Sequence, residues 1–555
     1  MNSPNPAIVT QREAQRLPRL ALIVFCAAYV LPGVFGRDPW RSADITAFGY
    51  MFNIAEGRTS WLDPMVGGLA PDSALLPYWI GAAFIRLFGS VVDPAFAARI
   101  PFALLLVLAL ALVWYATYSF ALSSEAQPLP LAFGGEAKPV DYARAVADGA
   151  VLAQIAALGL LQLGHETTPE LVQLAGVGLF LYGLAATPIR RLQSRSALLL
   201  SLPALAASGA PMIAISLGAV AALSCVRSES PALRGAFGWI AIGTALAALV
   251  ATALGAWGWR LGRFDSPAQA LGLLRQLVWF TWPAWPLVLW TLWRWRARLS
   301  SPHILLPLGV LGVSLAAWVG MGGSDRALML GLPPLAVLAA FALPTLQRST
   351  AAAIDWFSVF FFSFAALTIW VIYASMHLGV PAKPAANIAR LAPGYVPSFS
   401  ATALLFAALA TAAWLWLVHW RTRRARHPLW KSMVLPASGV TLGWLLVMTL
   451  LLPPLDHARS DRALVERVAQ QVPREGCIAA PGLPKAQVVA LEYLGGYRVD
   501  AVTPAARSSC DHLLLPEARQ RATPVGELWE FVGRARRSRT DDDALAVYRR
   551  AGRAR

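Results

Sequence analysis

The sequence predicts a polytopic α-helical membrane protein with about 13 crossings and a small α/β domain after the last crossing. Three observations lead there. Of 555 residues, 57% are hydrophobic and only 14% charged, more apolar surface than a soluble fold of this length buries. Windows long enough to cross a hydrocarbon core of about 30 Å recur between residues 20 and 452. From residue 453 onward the composition changes to 17 basic and 13 acidic residues, with no apolar run of that length.

Taken in order, single spans are expected near 20–36, 95–121, 143–163, 170–187, 236–258, 277–293, 303–320, 326–346, 354–378, 398–420 and 432–452. The stretch 196–226 is too long for one span, and Pro203, Gly209 and Pro211 interrupt it, so it reads as two short helices or a re-entrant pair. The first span follows Arg12, Arg16 and Arg19 and leads into Pro32-Gly33-Val34-Phe35-Gly36, without a clear small-residue cleavage site. It is expected to be an uncleaved anchor with a cytoplasmic N-terminus.

Arginine clusters test this count, because basic loops stay on the cytoplasmic side. With 196–226 as two helices, Arg190, Arg191 and Arg195, then Arg294, Arg296 and Arg298, then Arg421, Arg423, Arg424 and Arg426 all fall inside. The loop 37–94, the turns 164–169 and 322–325, the loops 257–276 and 379–397, and everything after residue 452 then face outward. Residues 1–452 are thus expected to form the membrane domain, with 37–94 as its long outward loop, and 453–555 a soluble domain on the same outer side. Outward loops nevertheless carry Arg37, Arg41, Arg58, Arg86, Arg260, Arg263, Arg275, Lys383 and Arg390. Cations on that side suit phosphate. The net charge of +17 is spread between spans and tail, which points to membrane lipids and phosphates as partners and away from nucleic acid.

In the tail, 477–480, 512–515, 528–532 and 545–548 read as short strands, with helices near 458–471 and 485–495. Four cysteines are too few for a disulfide framework. Cys477 and Cys510 alone are candidates to pair, which requires an oxidising compartment.

Asp38 and Asp44 flank Trp40 and Arg41 just outside the first span. A carboxylate facing a cavity of lower dielectric than water can serve as a general base on an acceptor hydroxyl or amine. The alternative is a pair of solvated loop carboxylates, with Asp38 starting a turn before Pro39. Further along come a helix-forming run from Ile45 to Glu56, then Gly57 to Trp61 with Pro64, then Ser73-Ala74-Leu75-Leu76-Pro77-Tyr78-Trp79, and Ala98-Arg99-Ile100-Pro101 opening the second span.

This segment, Arg37 to Pro101, resembles the first outward loop of the GT-C glycosyltransferases, integral-membrane enzymes that take sugars from polyprenyl-phosphate donors, in their aminoarabinose-transferase and protein O-mannosyltransferase branch. The resemblance implies a catalytic role for Asp44, with Asp72 or Asp38 positioning the acceptor or helping to hold a divalent cation, and a cavity lined by Trp40, Tyr78, Trp79 and Trp282. Departures matter. Where the family's Lys-Pro-Pro-Leu-Tyr-Tyr-Trp motif places a phosphate-binding lysine, this chain has Ser73, and the two following prolines are missing. A Gly-Lys-Gly of the fifth span appears as Ser208-Gly209-Ala210. Arg326, in Ser324-Asp325-Arg326 before Leu332-Pro333-Pro334, is the substitute expected to hold donor phosphate, together with Arg41, Arg260 and Arg263; an arginine snorkelling to the interface is the alternative.

His165-Glu166-Thr167-Thr168-Pro169-Glu170 gathers a histidine and two carboxylates. A capping box of Thr167 and Glu170, with Pro169 in the first helical turn, explains it better than a metal site. No metal site is expected at this cluster; a divalent cation elsewhere in the site stays open, and no other cofactor is expected. The tryptophans Trp279, Trp282, Trp285, Trp290 and Trp293 read mostly as interface or packing residues.

Together the resemblance implies a transferase that moves a sugar from a polyprenyl-phosphate carrier to a lipid, glycan or protein acceptor of the cell envelope. The reaction is an inverting displacement at the outer face of a bacterial inner membrane. Two rivals stay open: a lipid-phosphate transporter or flippase, and a catalytically silent relative that assists envelope assembly.

Overall fold

Proline and glycine decide where the apolar windows become helices. The computed structural model describes residues 5–40, 42–72, 75–131, 134–258, 262, 267–423, 428–517, 528–536 and 544–551. Among these, eight helices are long and apolar enough to cross a membrane: Pro94–Ala121, Pro169–Ala186, Pro231–Ala253, Pro302–Gly320, Asp325–Thr345, Arg348–Leu378, Ala401–Arg421 and Lys431–Leu450. The other expected windows are helical but shorter or broken. The stretch 196–226 forms two helices, Arg191–Ala207 and Pro211–Arg227, separated where Gly209 takes a φ of 91° and Pro211 restarts the chain. Contacts divide the chain into two compact units: Met1–Val34, Phe102–Trp370 and Ser400–Leu450 form one, and Phe35–Pro101, Val371–Phe399 and Leu451–Arg555 the other.

In the first unit, the helix Arg19–Val30 ends well before residue 36. Gly33 has a φ of 86°, and a Cβ there would lie 2.8 Å from the Trp444 ring, whose indole N–H donates to the Pro32 carbonyl at 2.8 Å. The span expected at 143–163 likewise stops at Ala156, and the one at 277–293 splits into Pro267–Phe280 and Ala284–Arg294. These two breaks satisfy each other. Leu158 N–H donates to the Trp282 carbonyl at 3.2 Å and Gly159 N–H to that of Phe280 at 2.9 Å, so carbonyls released by one interruption accept donors released by the other. The approach is close enough that a Cβ on Gly159 would meet the Phe280 ring at 2.2 Å.

The second unit joins the 37–94 loop to the tail. The helix Ala43–Ala55 packs on Leu76–Phe88, where Gly81 lies against Met51, and on Lys485–Tyr493, where Gly49 lies against Val489. A Cβ at either glycine would fall 2.2 Å from its neighbour. Phe48 and Phe52 pack edge-on against Tyr493, with ring centroids 4.7 and 5.1 Å away.

The tail sheet has five strands, β1 (Cys477–Ala479), β2 (Arg498–Asp500), β3 (His512–Pro516), β4 (Trp529–Ala535) and β5 (Leu545–Arg550), in the order β2-β1-β3-β5-β4. β1 pairs parallel to β2 and β3, while β5 runs antiparallel to β3 and β4. β2 goes beyond the sequence expectation, because three residues bearing an arginine and an aspartate carry no strand signal of their own. The single helix expected at 458–471 is two, Leu452–Arg459 and Arg462–Ala469, parted at Ser460-Asp461.

Cys477 and Cys510 form a disulfide, with Cα atoms 4.8 Å apart, while Cys26 and Cys225 are free. Maleimide labelling of intact cells without reductant is therefore expected to miss Cys477 and Cys510, and reductant should expose both. Rapid labelling of either without reductant contradicts the pairing.

Candidate active site

The site is built on the tight path from Gly36 to the helix Ala43–Ala55. Gly36 turns the chain at a φ of 68°, and Ser42, the N-cap, holds a φ of 80°. A non-glycine residue in that region stores strain of about 1–3 kcal/mol, which the surrounding contacts must outweigh. Asp44 lies in the helix's first turn, where the backbone dipole favours an anion. Its Oδ2 accepts from the Arg37 guanidinium at 2.7 Å and from the Trp40 N–H at 3.1 Å, and the Arg37 and Asp44 side chains are each only 2% exposed.

Trp40 is held from several directions. The guanidinium carbons of Arg37 and Arg459 lie 4.7 and 4.8 Å from its ring centroid, and its indole N–H donates to Asp456 Oδ1 at 2.9 Å. The same Asp456 oxygen accepts the Asp38 backbone N–H at 2.9 Å. Burial pushes the Asp456 carboxyl upward, the nearby Asp38 charge adds to this, and the bonds from Trp40 and the Asp38 N–H offset part of it. Sequence reasoning missed Asp456. Its only signal is a lone acidic residue directly after the last apolar window.

Asp38 itself is bound bidentately by Arg462, at 3.0 Å to Oδ2 and 2.7 Å to Oδ1, and Ser460 Oγ donates to Oδ2 at 2.7 Å. Burial alone raises its carboxyl, but the Arg462 and Ser460 bonds and the charges of Arg462 and Arg99 outweigh it, and the net shift is downward. Asp38 therefore ties the loop to the start of the Arg462–Ala469 helix, and both its oxygens are engaged.

Asp72 pairs with Lys485 at 2.8 Å and is largely exposed, whereas Asp44 is buried against Arg37. Tyr78 is buried against Tyr50, with ring centroids 5.1 Å apart, and the Trp79 indole donates to the Trp61 carbonyl at 2.6 Å. Glu492 of the tail accepts from Asn53 and from the Gly67 N–H, both at 3.0 Å, which anchors the loop beyond the helix Ala43–Ala55.

In the other unit, Arg326 is held by Glu166 at 2.5 Å and Glu170 at 3.8 Å, with its side chain 20% exposed. Two carboxylates hold this one guanidinium, so phosphate binding at Arg326 competes with these pairs. Thr168, not Thr167, is the N-cap of Pro169–Ala186, and its side chain makes no cap hydrogen bond. The expected capping box is thus corrected, with Glu170 turned to Arg326 instead. Both ring nitrogens of His165 lie on backbone carbonyls, Nδ1 on Leu161 at 2.7 Å and Nε2 on Tyr29 at 3.0 Å, so neither is turned toward a metal. Among the described residues no group of three or more His, Cys, Asp or Glu side chains is placed to hold a metal ion. Trp282 packs against Phe357 at 4.9 Å and near Trp285. Arg41, Arg260 and Arg263 lie outside the described residues.

The sequence matches no protein-family model and no curated protein. Solved structures do match the fold. The crystal structure of ArnT from Cupriavidus metallidurans in the apo state aligns at 15% identity and a TM-score of 0.62, covering 95% of this chain and 96% of that one. The same protein bound to undecaprenyl phosphate aligns at 14% identity and a TM-score of 0.62, covering 96% and 97%. An Archaeoglobus fulgidus oligosaccharyltransferase crystallised with zinc and sulfate aligns at 13% identity and a TM-score of 0.45, over 90% of this chain and 68% of that one.

Because Asp38 titrates below its ordinary value of 3.8 in the folded chain, its bonds stabilise the protein above that value. The contribution disappears as pH falls through the lower folded value. Asp38→Asn is expected to cost about 1 kcal/mol at pH 7, reduced from a buried pair's worth because Arg462 is half exposed. Thermal unfolding in detergent should show the gap to wild type closing at acid pH; a gap unchanged at pH 3 contradicts the assignment. With nearly the whole length of both chains aligned, the chain has the fold of ArnT: a mostly helical, membrane-type body with a small sheet-bearing tail, as the sequence leads one to expect in kind.

Proposed function

We propose that this protein is a glycosyltransferase that moves a sugar from a polyprenyl-phosphate carrier to a cell-envelope acceptor at the periplasmic face of a bacterial inner membrane. The observation that carries the reading is the fold shared over nearly the whole length with a structure bound to undecaprenyl phosphate. A second support is chemical: the segment that resembles the GT-C catalytic loop holds a buried, ion-paired aspartate at a strained helix start, not a solvated one.

In this reading the acceptor hydroxyl attacks the sugar's anomeric carbon, the bond from that carbon to the phosphate oxygen breaks, and the phosphate leaves with its negative charge. Asp44 orients the acceptor and takes up its proton. Arg37 and the Trp40 N–H fix the Asp44 carboxylate, and Asp456, through the Trp40 indole, is a positioning residue one step removed. Asp38 holds the loop closed on Arg462, and Asp72 remains a candidate for guiding the acceptor at the surface. Cations beside the departing phosphate stabilise the transition state. Arg326 serves there once Glu166 releases it, with Arg41, Arg260 and Arg263 as further candidates. Trp40, Tyr78, Trp79 and Trp282 are candidates to contact sugar or isoprenoid. The arginine pattern and the tail disulfide support the periplasmic side, since disulfides persist in oxidising compartments.

The test is transfer of radiolabelled sugar from polyprenyl-phosphate donors to an envelope extract by the purified protein. Asp44→Asn should lower transfer by about 100-fold or more with donor binding retained. No transfer by the wild type with any donor, despite tight lipid-phosphate binding, contradicts the enzyme reading. Glu166→Gln removes the nearer of Arg326's two carboxylate partners and should tighten binding of undecaprenyl phosphate several-fold; unchanged affinity, also with Glu170→Gln added, removes Arg326 from the phosphate site.

A further inference from the structure

The segment from Val380 to Phe399 takes no part in the network around Trp40, yet its composition and placement are unusual. It joins two helices that are long and apolar enough to cross a membrane, Arg348–Leu378 and Ala401–Arg421, so both its ends are tethered at one membrane face. Between them lies a ten-residue helix, Ala382–Leu391. Lys383, Asn387 and Arg390 fall at i, i+4 and i+7, on one exposed face, while Pro384, Ala385 and Ile388 are half-buried on the other. Large apolar side chains flank the helix and point away from the protein: Val380 is 71% exposed, Leu391 69%, Val396 80% and Phe399 67%.

A cationic stripe bordered at both ends by exposed apolar side chains fits a bilayer surface and nothing else near it. Apolar groups gain by entering the acyl boundary, and each lysine or arginine there is attracted to an anionic leaflet. The segment is also fixed to the protein. Ala392 is buried, His457 Nε2 lies 3.1 Å from the Pro393 carbonyl, and the Tyr395 and His457 rings are 5.8 Å apart. His457 belongs to the helix Leu452–Arg459, whose Asp456 and Arg459 hold Trp40.

We infer that Val380–Phe399 is a membrane-surface element whose Lys383 and Arg390 bind the phosphates of anionic phospholipids, with Leu391, Val396 and Phe399 seated in the acyl boundary. The inference is independent of the transferase reading, since it needs only the membrane fold. The lipid-bound helix, through His457, steadies the element that carries Asp456.

The test uses the full chain in nanodiscs, with Cys26 and Cys225 replaced by serine and bimane attached at Val396→Cys. Phosphatidylcholine carrying a shallow nitroxide should quench the label strongly and aqueous iodide weakly. At equal mole fraction, nitroxide-labelled phosphatidylglycerol should quench about twofold more than the phosphatidylcholine. Lys383→Gln with Arg390→Gln should bring that ratio to one while leaving depth quenching intact, and Lys383→Arg should preserve it. Full iodide quenching without lipid quenching overturns the surface placement. A ratio of one in the wild type, or a ratio abolished by equimolar undecaprenyl phosphate, overturns the phospholipid assignment. Elution volume and unfolding midpoint of the double variant, compared with wild type, exclude misfolding as the cause of a lost ratio.

Discussion

Arg37 and Asp44 bring two full charges out of water, seven residues apart in the chain, and the structure around them is arranged to hold that pair. Transferring each ion to the interior costs several kcal/mol, and the 2.7 Å contact returns that only if the remaining bonding capacity is met. The Trp40 N–H supplies one bond to Asp44 and the Trp40 ring covers Arg37. Trp40 is in turn anchored by Asp456 and Arg459 from the helix Leu452–Arg459, and the loop preceding it by Asp38 on Arg462. The tail therefore completes the ion pair's surroundings. Without Leu452–Ala469 the strained turn at Ser42 would lack its lateral supports.

The membrane unit meets a different constraint, with the same logic of completing what is left unpaired. In hydrocarbon an interrupted helix exposes carbonyls and amides that no water satisfies. Here the interruption after Ala156 and the one after Phe280 face each other and exchange hydrogen bonds, with Gly159 allowing the close approach. Buried charges in that unit are also matched: Arg326 with Glu166 and Glu170, and Arg421 with Asp355 at 2.6 Å. An arginine expected as an open phosphate site is thus a partnered one, and its use for a ligand implies exchange between carboxylate and phosphate.

Much of this was legible in the residues. Among the described residues, the apolar windows locate all eight helices long and apolar enough to cross a membrane, because length and hydropathy are properties of each segment alone. The split of 196–226 follows from Gly209 and Pro211, and the strands β1, β3, β4 and β5 from short apolar runs. Asp44 was legible through its place after the first span and its resemblance to a known loop. Asp456 was not, because its role arises from contact with Trp40, more than 400 positions away in sequence. β2 and the division at Ser460 were hidden for the same reason: each is stabilised by a partner remote in the chain, β1 for the one and Asp38 for the other.

By itself the sequence determined which segments are apolar and long enough to enter a membrane and where the polar loop and tail lie along the chain. Periodicity, apolar length, proline and glycine act locally, so they can be read in order. Only the tertiary structure decided which of the many arginines and carboxylates pair. Any of the outward cations satisfies Asp38 or Asp44 on paper; the fold brings Arg462 to the first and Arg37 to the second. Coulomb attraction is long-ranged and unspecific in sequence, and it becomes specific only when packing sets distance and excludes water.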